Sequence, residues 1–259
     1  MKPPRRLFAT RVSLPFFTAI VALFAASHAG AQIRTWIPTA SVTNGAWGTT
    51  TNWSGGDVPD TNLEIASFSV DFTGSGPTFA LGANRTVNGV IYNDTGTTGD
   101  VVGTIVAGST LTLAGTAPKI TTQNSLTINS ILSWGASGFT KDGAAVSLTL
   151  SGVNTGTGPI TLSAGTLRAT TSASALGTGA ATVSLAASTT LQLANNTGLN
   201  FARNTTVAGN TTITSDRTSA GAGVTHTLGT LGIGAQTLTV TRGGNATSGT
   251  GGITCYGPN

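Results

Sequence analysis

Aliphatic residues in this chain come in pairs with one small or polar residue between them. Leu111-Thr112-Leu113, Leu126-Thr127-Ile128, Leu148-Thr149-Leu150 and Ile160-Thr161-Leu162 have this form, as do Val183-Ser184-Leu185, Leu191-Gln192-Leu193 and Leu238-Thr239-Val240. Side chains two apart on an extended strand point the same way, so each triplet buries its aliphatics on one face and turns a hydroxyl or amide to the other. Threonine suits this pattern because its branched Cβ packs well on a pleated surface. Gly, Asn and Ser fill the intervals, which suits tight turns. No stretch after residue 31 has helical periodicity; the Ala-rich run from Ala173 to Ala181 is broken by Gly177 and Gly179 and reads as a loop.

The intervals narrow the architecture. Leu148 follows Leu126 by 22 residues, and Val183 follows Ile160 by 23. Those steps match one coil of a β-solenoid, about 20–30 residues, and the shorter steps match strand-to-strand spacing within a coil. One coil cannot bury its own apolar face, but several stacked coils can. By this arithmetic the residues after Val101 make roughly seven coils. A β-sandwich is the competing all-β fold. Its core is usually rich in bulky aromatics, whereas Val101 to Gly251 holds only Trp134, Phe139 and Phe201. Columns of small aliphatics favour the solenoid.

The net charge of +4 is misleading. Lys2, Arg5, Arg6 and Arg11 account for all of it, and eight bases face eight acids from Gln32 onward. A nucleic-acid partner therefore loses its electrostatic support. The same N-terminus has the three parts of a secretory signal: the basic stretch, an apolar run from Val12 to Ala26, and Ala29-Gly30-Ala31 as a small-residue cleavage site. Cleavage is predicted between Ala31 and Gln32. Three segments result: signal peptide 1–31, a Trp-containing N-terminal cap with the first strands over 32–100, and solenoid repeats over 101–259. No later run approaches the ~20 apolar residues of a membrane helix. The lone Cys255 excludes an internal disulfide.

One stretch reads Leu148-Thr149-Leu150-Ser151-Gly152-Val153-Asn154-Thr155-Gly156-Thr157-Gly158, then Pro159-Ile160-Thr161-Leu162-Ser163-Ala164-Gly165-Thr166-Leu167. It resembles the autotransporter-associated β-strand repeat, with Gly152, Asn154, Thr155, Gly158, Gly165, Thr166 and Leu167 at the motif positions. The segment with Trp47, Trp53 and Val58-Pro59 resembles the Trp-rich opening of large exported proteins that carry such repeats. The resemblance implies an all-β, right-handed, single-stranded parallel β-helix in a surface-exposed or secreted passenger tied to adhesion, aggregation or display. Gly251 to Asn259 shows neither a membrane barrel nor a sorting tail, so the sequence reads as a truncated or fragmentary member.

Catalytic chemistry has few candidates. Asp57, Asp60 and Glu64, with Asp71 further on, form the one tight acidic group and read as a turn in preference to a calcium or catalytic site. His226 is the one imidazole after the signal; it is expected to face outward and cannot build a zinc site alone. No nucleophile elbow or phosphate loop occurs, and no cofactor is expected. Trp36, Trp47 and Trp53 are either rings that stack on sugars or, preferably, a plug for the open end of the solenoid. The expected protein is a non-enzymatic, exported solenoid that meets surface glycans or neighbouring cells. A carbohydrate-binding module and a polysaccharide-acting enzyme are the alternatives.

Overall fold

The alternation becomes stacks of parallel strands, three larger ones and a two-stranded one of Gly221–Ala222 and Ala246–Ser248, in the computed structural model, which describes residues 30–38, 44–72, 76–96, 99–144 and 146–256. The predicted signal peptide lies almost wholly outside them. Ala31–Asn259 is one compact unit. The first sheet has ten strands, from Gln32–Thr35 to Gly252–Tyr256. The second has nine, from Gly45–Ala46 to Leu238–Arg242. A third joins Arg85–Val87, Thr110–Leu113 and Ile131–Trp134. Consecutive strands fall in different sheets, and each strand pairs in parallel with its equivalent one coil away. The result is a β-solenoid of about eight turns, in which the helix among the described residues is two short 3-10 turns, Thr50–Asn52 and Ser54–Gly56.

The sandwich alternative fails on pairing. Sandwiches are built from antiparallel hairpins and Greek keys; here Leu126, Leu148, Leu167, Leu191, Ile213 and Val240 are parallel partners in turn, 19 to 27 residues apart. All seven triplets are strands. Residues 173–181 form turns and loop.

The core is a lumen running along the stack. Leu126, Leu148, Leu167, Leu191 and Ile213 are one buried column, and Ile128, Leu150, Ala169 and Leu193 another. Burying each large aliphatic contributes about 1.5–3 kcal/mol. Outward positions of the same sheet form a column of Thr104, Thr127, Thr149, Arg168, Gln192, Thr214 and Thr241.

Polar groups tie the coils together at the corners. The Asn204 Oδ1 accepts from Thr230 N–H at 2.9 Å, and its amide donates to Ala180 O at 2.8 Å. Asn84 accepts from Thr110 N–H and Asn210 from Thr237 N–H, each about one coil away. A short amide side chain supplies both a donor and an acceptor without the desolvation cost of a charge, which is how a chain with 8% charged residues satisfies its corners.

Candidate functional site

The described stack begins around an aromatic cluster. Trp36, Trp47, Trp53, Phe68 and Phe79 are all 0% exposed. Trp36 meets Trp53 edge-on with ring centroids 5.2 Å apart and meets Phe79 at the same distance. Trp47 packs on Trp53 and Phe68 at 5.2 and 5.3 Å. The Trp47 indole N–H donates to Pro59 O at 3.1 Å, and that of Trp53 to Trp47 O at 2.6 Å. Strands Gln32–Thr35 and Gly45–Ala46 are the first members of their sheets, so these rings fill the lumen where the described stack starts. The sugar-stacking expectation for Trp36, Trp47 and Trp53 does not fit this geometry, because a fully buried ring has no face to offer a sugar.

The acidic group beside the cluster is spent on ion pairs. Arg34 reaches both Asp57 and Glu64, the latter at 2.9 Å, and Arg85 reaches Asp60 at 3.0 Å. Burial alone would raise the Glu64 carboxyl, but the Asp60 N–H and the Arg34 guanidinium outweigh it and hold the group below its ordinary value. The turn reading thus gains a specific role: Asp57, Asp60 and Glu64 clamp the first coils through two arginines.

The repeat motif is structural throughout. Asn154 is fully buried; its Oδ1 accepts from Leu132 N–H at 2.8 Å and its amide donates to Ala175 O at 2.7 Å, so one side chain links three coils. A Cβ on Gly152 would lie 2.5 Å from Ser130 O. Thr155 is exposed, and its N–H donates to Leu132 O. The Gly158 carbonyl accepts from the Trp134 indole at 3.0 Å and from Arg203 Nη2 at 2.7 Å. Gly165 has φ of 72°, and a Cβ there would lie 2.6 Å from Lys141 Nζ. Thr166 stacks between Ser147 and Thr190, and Leu167 between Leu148 and Leu191.

His226 does not face outward. It is fully buried: Nδ1 accepts from Leu199 N–H at 3.1 Å, and Nε2 lies 3.0 Å from Asp216 O. Burial lowers its pKa, partly offset by Asp216. The reason is parity: His226 and Leu228 are two apart and share the inward face. Lys141 follows the same rule after Phe139 in the strand Phe139–Gly143; Arg203 is buried too, in the loop before the strand Thr205–Val207, and neither was singled out in the sequence. Burial pushes the Lys141 amine down to about 8, against the opposing pull of Asp142, and among the described residues Nζ donates to the main-chain carbonyls of Ala144 and Val146 at 3.5 and 3.3 Å.

With the imidazole sealed in and the N-terminal acids paired, these groups do not form a nucleophile-and-base arrangement. Among the described residues no three of His, Cys, Asp and Glu gather closely enough to hold a metal ion, and no helix there is long and apolar enough to cross a membrane. Among the described residues, what faces solvent includes a long hydroxyl-bearing sheet and recesses beside it. One, of about 410 Å³, includes Thr112, Ser133, Trp134 and Ser137; another, of about 370 Å³, includes Ser188, Thr190, Asn210 and Thr212.

Comparison with known proteins points the same way as the fold. No protein-family model and no solved structure matches the chain. Its sequence is 35% identical over 193 residues to the adhesin BmaC autotransporter of Brucella suis biovar 1 (strain 1330). The match covers 70% of this chain and 5% of that protein, so the chain spans a small part of its relative's length. Over most of its own length, then, this parallel β-solenoid is a relative of an autotransporter adhesin.

Proposed function

We propose that the chain is an exported, non-enzymatic solenoid segment of adhesin type, standing at the cell surface as an outer-membrane-associated or extracellular passenger. The observation that carries the reading is the similarity to an autotransporter adhesin across 70% of the chain, joined to a stiff parallel stack with a polar outer face. A solenoid offers length and a repetitive surface in place of a single enclosed pocket, which suits many weak contacts with surface glycans or neighbouring cells. Export by residues 1–31 would start the product at Gln32, the first residue of the first described strand, whose N–H bonds Leu63 O at 2.6 Å.

The test is expression of the full chain in a Gram-negative host without related adhesins. The exported product should begin at Gln32, and cells with the protein at their surface should attach to epithelial or glycan-coated surfaces, or to one another, several-fold more than control cells. Surface-located protein with unchanged attachment and aggregation would contradict the reading.

A further inference from the structure

Four ion pairs occur among the described residues, and they use Asp57, Asp60, Glu64 and Asp142. Three other acids lie on the connections between the first and second sheets in two consecutive coils, Asp71 in one and Asp94 and Asp100 in the next, and none of them has a cationic partner in that set. Asp94 ends the strand Gly89–Asp94 and is 5% exposed. Its Oδ1 accepts from Phe72 N–H at 2.8 Å and from Gly96 N–H at 3.3 Å. Its Oδ2 is buried with no hydrogen-bond partner. A buried carboxylate oxygen left bare is costly unless something satisfies it.

The second carboxylate stands close by. Asp71 is exposed and follows Val70, which is paired with Asp94 across the coils. Both carboxylates crowd the same side of Gly96: a Cβ there would run into Asp71 Oδ1 and lie 3.4 Å from Asp94 Oδ1. Side-chain bulk at position 96 would close this space. Nearby, burial and then the charges of Asp94 and Asp100 push the Tyr92 phenol upward. Asp100 itself is taken up by Ser125, whose N–H and hydroxyl both donate to it at 2.6 Å.

We infer that Asp71 and Asp94 form a binding site for a hard divalent cation of the calcium type at this corner. Such ions take six to eight oxygen ligands and accept a mixture of carboxylates, main-chain carbonyls and water. Asp71 and Asp94 would supply the carboxylate part of such a shell, and water would complete it. One buried and one exposed carboxylate make a weak site, with affinity in the ~10⁻⁴–10⁻³ M range of extracellular modules. The ion would bind the second coil to the third, as Arg34 binds the first to the second. The inference stands independently of the adhesin reading.

The experiment is calcium chloride titration of the exported chain, after EDTA treatment, by calorimetry and by thermal unfolding followed through tryptophan fluorescence. Binding to the folded state alone raises Tm with calcium concentration. We expect a saturable heat and a rising Tm, both lost in Asp71→Asn and Asp94→Asn and both kept in Asp142→Asn. Asp71 is exposed, so its variant remains informative if Asp94→Asn fails to fold. Absence of calcium-dependent heat and Tm shift at millimolar calcium would overturn the site, as would their persistence in Asp71→Asn.

Discussion

The first two coils and the central coils fill the same lumen by different means. Around residues 34–80 the interior is a block of Trp and Phe rings, and the corners are clamped by Arg34 and Arg85 to carboxylates. From Leu126 to Ala194 the interior is mainly stacked Leu, Ile, Val and Ala with a single edge-on aromatic pair, Trp134 and Phe139, and the corners are tied by Asn154 and main-chain bonds. The central coils even place a lone lysine, Lys141, in the aliphatic column between Ile120 and Leu162. In a stack where each coil touches only its neighbours, stability is a sum of local terms. The contrast follows: each coil needs a filled cross-section and satisfied corners, and different residues meet that need in different coils.

The sharpest way to break the comparison is to empty each core. Trp53→Ala should cost about 3–5 kcal/mol, with hydrogen-exchange protection lost in the first coils and retained beyond Leu126. Loss of protection throughout would show that the two regions are one cooperative unit. Next in size is Lys141→Met, which should stabilise the central coils by about 1–4 kcal/mol by removing a buried unpaired charge. The pH dependence has the same origin. The folded-state pKa of about 8 lies below the ordinary value of 10.5, so protonation favours unfolding, and denaturant midpoints should rise as pH climbs from 8 toward 10.5. In Lys141→Met that rise should vanish.

Asn154→Leu should cost about 1–3 kcal/mol, because Leu132 N–H and Ala175 O lose their shared partner inside the stack. Urea denaturation would measure it. The smallest effect belongs to the N-terminal clamp. Arg34→Gln should cost about 1 kcal/mol or less, and the loss should shrink further in high salt. A salt-independent cost would mean that the Arg34 side chain acts by packing.

Strand identity and coil length were both legible in the chain. Period two located all seven triplets, and the 22-residue step from Leu126 to Leu148 is a true inter-coil pairing. The same parity also reveals the inward polar residues on strands, since His226 shares a face with Leu228 and Lys141 with Phe139. Chemical type hid them: charged and polar residues are mostly exposed, and that prior outweighs the alternation. Asn154 was legible as a motif residue but not as a link, because its partners lie 22 and 21 residues away in neighbouring coils. The Asp71–Asp94 pair was hidden for the same reason, since only the stacking of successive corners brings those two residues together.

The central claim is the parallel, in-register stack. It is tested most directly by electron–electron distances between spin labels on the outward column of the second sheet, in a Cys255→Ser background. Labels at Thr104 paired in turn with Gln192, Thr214 and Thr241 are four, five and six coils apart. At the inter-strand spacing of about 4.8 Å, the three distances should be about 19, 24 and 29 Å, rising in equal steps. Distances that fail to rise in that order, or that bring Thr241 back toward Thr104, would contradict the solenoid.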